Sequence, residues 1–119
     1  NVSAYWSCNG QWLLTAPYDD GVLSDQIKER VKDAGSVSEQ SDGWVIIDIE
    51  GAGCLALLER LCNLNLSACT VPYVSRTVIE HIGVFLAVQK QGQSYRLFGP
   101  RSSAESLFHA VKQAAVSIA

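Results

Sequence analysis

A repeated order of elements constrains this chain most. Gly10-Gln11-Trp12-Leu13-Leu14-Thr15-Ala16-Pro17 leads into a helical pattern, and so does Gly92-Gln93-Ser94-Tyr95-Arg96-Leu97-Phe98-Gly99-Pro100. Each unit reads as strand, turn, strand, helix. Two such units sharing one sheet give an α+β sandwich, with an antiparallel or mixed sheet, about three helices packed on it, and a near ferredoxin-like arrangement. The length of 119 residues fits a single domain over 1–119.

Local signals place the elements. Asn9-Gly10 marks a tight turn in a hairpin over Tyr5–Ala16, with Trp12, Leu14 and Ala16 on one face. Pro17 stops that strand. Asp19 or Asp20 caps a helix carrying Leu23, Ile27, Val31 and Ala34, which Gly35 closes. Ser36–Gln40 reads as a strand turned by Asp42-Gly43 into Trp44–Glu50, where Val45, Ile47 and Ile49 share a face. A helix over Gly53–Cys62 is apolar nearly all round, which predicts cover on more than one side. After a connection over Asn63–Pro72, Arg76–His81 and Val84–Gln89 read as strands broken at Gly83. Gln91-Gly92 turns the chain into Ser94–Phe98, and Gly99-Pro100 ends it. Ser102-x-x-Glu105 forms a capping box for a last helix with a stripe of Phe108, Val111, Ala115 and Ile118.

Composition narrows the function. Only 18% of residues are charged against 48% hydrophobic, and the net charge is −3. A typical soluble domain carries about 25% charged residues, and one this small buries only roughly two-thirds of its unfolded surface. The expectation is a subunit whose remaining apolar surface is covered by partners. Nucleic acid is excluded as a partner because no basic run or Lys/Arg stripe exists. Val84–Val88, as long an apolar run as the chain has, falls far short of the roughly 20 residues a membrane helix needs. The chain begins at Asn1, so whether residues precede it stays open.

Cys8, Cys54, Cys62 and Cys69 form no C-x-x-C pair. Cys54 and Cys62 lie on one predicted helix, roughly 12 Å apart, too far to bridge. Without paired ligands near His81 or His109, no zinc site is expected, and reduced buried thiols in a cytoplasmic protein are the plainer reading.

Gly51-Ala52-Gly53-Cys54-Leu55-Ala56 fits G-x-G-x-x-A between a strand and a helix, the setting of a dinucleotide fingerprint. The acidic residue expected roughly 20 positions later is missing and Glu50 sits beside the turn, so a packing turn is the better reading. Neither histidine has a nucleophile at a telling spacing. Asp19-Asp20 is a helix cap, and Asp48 and Glu50 share a strand face without an evident cleft. Catalytic, cofactor-binding and metal residues are therefore not expected. The large rings Trp6, Trp12, Trp44 and Tyr73 are natural interface anchors where they reach the surface.

An ordered set of segments resembles a known family. It comprises Gly10–Leu14, Ser41–Gly51, Leu57–Cys62, Leu64–Leu66, Arg76-Thr77 and Arg101–Ala104. Together these look like the gamma subunit of heterotetrameric sarcosine oxidase, along nearly the whole chain. The resemblance implies a fold related to the folate-binding domain of aminomethyltransferases such as the glycine-cleavage T-protein. It implies a cytoplasmic four-subunit enzyme that demethylates sarcosine, or a related N-methyl amine, to glycine, with hydrogen peroxide and methylene-tetrahydrofolate. FAD, FMN, NAD, tetrahydrofolate and zinc would belong to the alpha, beta and delta subunits. This chain would be a non-catalytic packing partner of the larger folate-binding alpha subunit, with Arg76 and Arg101 added to the four rings as interface residues. The folate-site Asp of the aminomethyltransferases has only Glu39 or Asp42 as its nearest match, neither in a copy of that motif. The rival readings are a stand-alone folate or one-carbon enzyme and a ferredoxin-like regulatory ligand-binding module.

Overall fold

The computed structural model describes residues 2–17, 22–69 and 73–118. Asp19 and Asp20, the expected caps, lie outside the described residues, as does the end of the connection at Pro72. The architecture is α+β, with three α-helices and two antiparallel sheets of two and four strands. The chain divides into two compact units, 1–41 and 42–119.

The first unit holds β1 (Ser3–Cys8), β2 (Gln11–Thr15) and α1 (Val22–Val31). Gly10 takes the left-handed φ of 77° that the Asn9-Gly10 turn demands. The register slips between Trp6 and Cys8, and the Ser7 hydroxyl donates to the Gln11 carbonyl. The hairpin forms a sheet of its own, so the two units do not share one sheet as the repeat suggested. α1 runs into a 3-10 turn, Lys32–Ala34, and the left-handed residue there is Lys32, φ 51°. Gly35 is extended, φ −172°, rather than a left-handed helix stop.

The second unit has β3 (Trp44–Glu50), α2 (Cys54–Leu61), β4 (Tyr73–Ile79), β5 (Ile82–Lys90), β6 (Ser94–Pro100) and α3 (Ala104–Ile118). The sheet order is β3-β6-β5-β4. β3 pairs with β6, from Trp44↔Pro100 to Glu50↔Ser94, and not with 36–40, which forms no strand. Ser36-Val37-Ser38-Glu39-Gln40 offers one large apolar side chain, whereas β6 offers Tyr95 and Leu97 opposite Ile49 and Ile47. The deeper burial wins the pairing.

Alternation sends Ile47, Ile49, Ile79, Val84, Leu86, Val88, Tyr95 and Leu97 to the side where α2 and α3 complete the core. α2 contributes Cys54, Leu57 and Leu58, with Leu55 and Leu61 packed at the margin. The helix that looked apolar all round is thus largely satisfied by its own core, and of its apolar residues only Ala56 is exposed. α3 buries Leu107, Ala110, Val111 and Ala114, a stripe rotated from the expected one, and leaves Phe108 54% exposed. Gly99 explains the rotation. A Cβ on this core-facing strand residue would sit 2.6 Å from Leu107 Cδ2, so the glycine is what lets Leu107 seat fully buried against β6. The capping box does not form. Ser102 lies inside a 3-10 turn, Arg101–Ser103, and Pro100 takes the extended conformation before it.

One turn of this sheet differs from expectation. β4 and β5 join through Glu80-His81, with Ile79 opposite Ile82, so Gly83 lies within β5 opposite Val78 rather than breaking the strands. The β5–β6 turn is the expected one. Gly92 is left-handed, φ 73°, its N–H donates to the buried Tyr95 hydroxyl at 2.8 Å, and Gln91 Nε2 donates to the Ser67 carbonyl at 3.1 Å.

Candidate subunit interface

The Gly51-Ala52-Gly53 turn is structural. Gly51 is left-handed, φ 125°, and its N–H donates to the Gln93 carbonyl at 2.9 Å. That donor is already used by the neighbouring turn and is not aimed at a phosphate. The adjacent depression, about 630 Å³, is lined by Glu50, Gly51, Ala52, Lys90, Gln93 and Ser94, and the Glu50 carboxylate opposes an anionic ligand. Asp48, which shares a face with Glu50, is held by Arg96 in a two-pronged ion pair, Nε to Oδ1 2.7 Å and Nη2 to Oδ2 3.0 Å. His81 occupies the β4–β5 turn, and His109 lies exposed on α3. Among the described residues, no group of three or more His, Cys, Asp or Glu could hold a metal ion. The four cysteines form no disulfide, and burial pushes the thiols of Cys54 and Cys62 up from their ordinary pKa. Asp42 faces Arg101 at 3.6 Å, and Glu39 accepts a hydrogen bond from the Ser41 hydroxyl.

What the surface does display is apolar. In the first unit, Trp6 and Trp12 are direct cross-strand partners, 48% and 58% exposed. Val2 and Leu14 are exposed too, and strand alternation puts them on the same side as the tryptophans. Tyr5 and Ser7, which alternate with Trp6, are buried. An unpolar face of this kind, centred on a tryptophan pair, is the composition of an interface core.

In the second unit, the sheet face away from α2 and α3 carries Trp44, Ile46, Phe85, Phe98 and Val78, as alternation about the core residues requires. Phe98 and Ala87 are buried at its centre, while Ile46 and Val78 are exposed toward the two edges. Trp44 meets Phe85 at 5.7 Å between ring centroids, and the Arg76 guanidinium lies over the same ring at 5.4 Å. Two of the residues expected at an interface, Trp44 and Arg76, thus converge on Phe85. Arg101 lies next to Pro100, the partner of Trp44, and its N–H donates to the Gly43 carbonyl at 2.9 Å. Tyr73 differs from the other rings, because its partner Val88 is buried and it packs against the core. Phe85, Ile46 and Val78 were missed in the sequence because their sheet face is unknown until β3, β4 and β5 are placed around β6. A third patch lies on α3, where Phe108 and Val116 are exposed and Lys112 lies over the Phe108 ring at 6.0 Å.

No protein-family model matches this chain, and no curated protein does. Among solved structures, it is similar to a chain of a heterotetrameric sarcosine oxidase from Corynebacterium sp. U-96 in complex with pyrrole 2-carboxylate. The TM-score is 0.85 at 21% sequence identity, over 98% of this chain and 60% of that one. The fold is that of a sarcosine oxidase chain. This chain spans 60% of its neighbour's length, and the likeness runs through both of its units.

Proposed function

We propose that the chain is a small, non-catalytic subunit of a heterotetrameric sarcosine-oxidase-type complex, which packs on and stabilises a larger folate-binding subunit. One observation carries this reading: 98% of the chain takes the fold of a chain from such an assembly, although the sequences are only 21% identical. The exposed Trp6–Trp12 face, Ile46, Val78 and Phe108 support it, since large apolar patches mark interaction surfaces. The complex would work in the cytoplasm and demethylate sarcosine oxidatively to glycine, with hydrogen peroxide and methylene-tetrahydrofolate as the other products. FAD, FMN, NAD, tetrahydrofolate and zinc would be held by the alpha, beta and delta subunits. This chain would act by mass action, because a partner that binds only the folded form raises that form's stability.

Affinity purification from the native source, followed by mass spectrometry, tests the proposal. The expected result is co-purification of three further chains with flavin absorbance. A chain that elutes alone overturns it. So does tight, saturable quenching of its tryptophan fluorescence by tetrahydrofolate, the result expected of a stand-alone folate protein.

A further inference from the structure

We propose that the β4 side of the sheet's outer face, centred on Arg76 and Phe85, docks a partner surface presenting a carboxylate set among apolar side chains. The inference rests on the subunit reading above and names the chemistry of one of its contacts. It begins from the distribution of charge. The molecule is acidic overall, with 12 Asp and Glu against 9 Lys and Arg. Yet the outward positions of β4, β5 and β6 carry no carboxylate. They are Val74, Arg76 and Val78 on β4, Gly83, Phe85, Ala87, Gln89 and, past the register slip, Lys90 on β5, and Ser94, Arg96, Phe98 and Pro100 on β6, with Lys90 at the far end beside Glu50. The acidic side chains of this face, Asp48 and Glu50, both stand on β3 at the opposite edge, and Asp48 is committed to Arg96. Arg76 is therefore a cation on apolar ground, and its guanidinium makes no ion pair among the described residues.

The local geometry suits recognition. β4 is an edge strand, so its outward side chains are not hemmed in on one side. The Arg76 guanidinium is laid on the Phe85 ring at 5.4 Å, and the Trp44 ring meets the same ring, tilted, at 5.7 Å between centroids. Stacking leaves the N–H edge of the planar fork available and removes part of the entropy that a mobile arginine loses on binding. Val78, 58% exposed two residues along the same face, supplies apolar surface beside the charge. A carboxylate meets the fork in two-pronged fashion, whereas an apolar surface without an acid would strand the guanidinium dry and unpaired.

The test uses the full chain co-expressed with the subunits that co-purify with it. Arg76→Glu should weaken assembly at least about 30-fold, the scale of an interface hot spot. Arg76→Lys should recover part of that, keeping the charge but losing the planar fork. Reversing the partner's matching acid to Arg should restore binding to Arg76→Glu. Arg60→Glu, the same charge reversal at an exposed position of α2, should change assembly less than about threefold. Circular dichroism melting of each isolated variant checks that the fold is intact. If the wild-type chain assembles and Arg76→Glu assembles equally well, the docking inference is overturned while the subunit reading stands. If the wild-type chain assembles with nothing, both fall.

Discussion

Glu80 and His81 both hold left-handed backbone, φ 51° and 68°, in the two-residue connection between β4 and β5. This is the geometry of a type I′ turn, which favours Asn-Gly because a Cβ is strained there. Replacing His81 by Gly relieves that strain at one position and should stabilise the chain by about 1 kcal/mol, after the entropy cost of glycine in the unfolded state. A higher urea midpoint at unchanged slope checks it. The buried thiols give a pH dependence. Burial raises the folded pKa of Cys54 and Cys62, above roughly 8.5 for an unfolded thiol. The folded state then holds these protons longer than the unfolded one, so their contribution is complete below that value and is lost as pH rises through the folded pKa values. Urea midpoints should fall as pH rises beyond the unfolded thiol value, and less steeply in a Cys54→Ala, Cys62→Ala double variant.

The last helix shows how close the two readings of one element can be. Phe108, Val111, Ala115 and Ile118 follow helical spacing, but so do Leu107, Val111, Ala114 and Ile118. The stripes differ by one residue at two positions, and only the sheet chooses between them, through the space above Gly99 that Leu107 enters. Neighbouring truncations should therefore separate sharply. Leu107→Ala empties a fully buried site and should cost about 2–5 kcal/mol. Phe108→Ala removes an exposed ring and should change the stability of the isolated chain by less than about 0.5 kcal/mol. Chemical denaturation of both variants decides it, and equal losses would return Phe108 to the core. Much of the fold at this scale was legible, because turn residues and apolar periodicity act locally. Asn9-Gly10 and Gln91-Gly92 both turn hairpins with their glycine left-handed, and the helix over 54–61 falls within one residue of its expected ends. The misread turn at Glu80-His81 lacks the usual glycine, so no local signal marked it.

For the whole molecule, the expectation of surplus apolar surface has a specific answer. It does not lie on α2, whose apolar residues mostly meet the core, but on the hairpin face, the outer sheet face and α3. With Trp6, Trp12, Leu14, Ile46, Val78, Phe108 and Val116 all at least 40% exposed, the isolated chain should self-associate as its concentration rises. Sedimentation velocity over a hundredfold concentration range should show a rising average mass. Replacing Trp6 and Trp12 together by Ser should reduce that association. A single monomeric boundary throughout would argue against the proposed need for partners. Which rings pack inward was not legible from sequence. Composition singles out Trp6, Trp12, Trp44, Tyr73 and Arg76 alike, because large rings and arginine suit interfaces, and only the structure shows Tyr73 packed against the core.

The amino-acid sequence alone determined the α+β class, most element positions, two glycine turns and the low charge that points toward partners. These follow from steric preference and short-range periodicity, which each segment carries within itself. Tertiary structure decided that β3 joins β6 rather than residues 36–40, that α3 turns Leu107 inward, and that Trp44 and Arg76 meet over Phe85. Each of those outcomes is a competition between distant segments for the same buried surface, and a chain read one window at a time contains only one of the competitors.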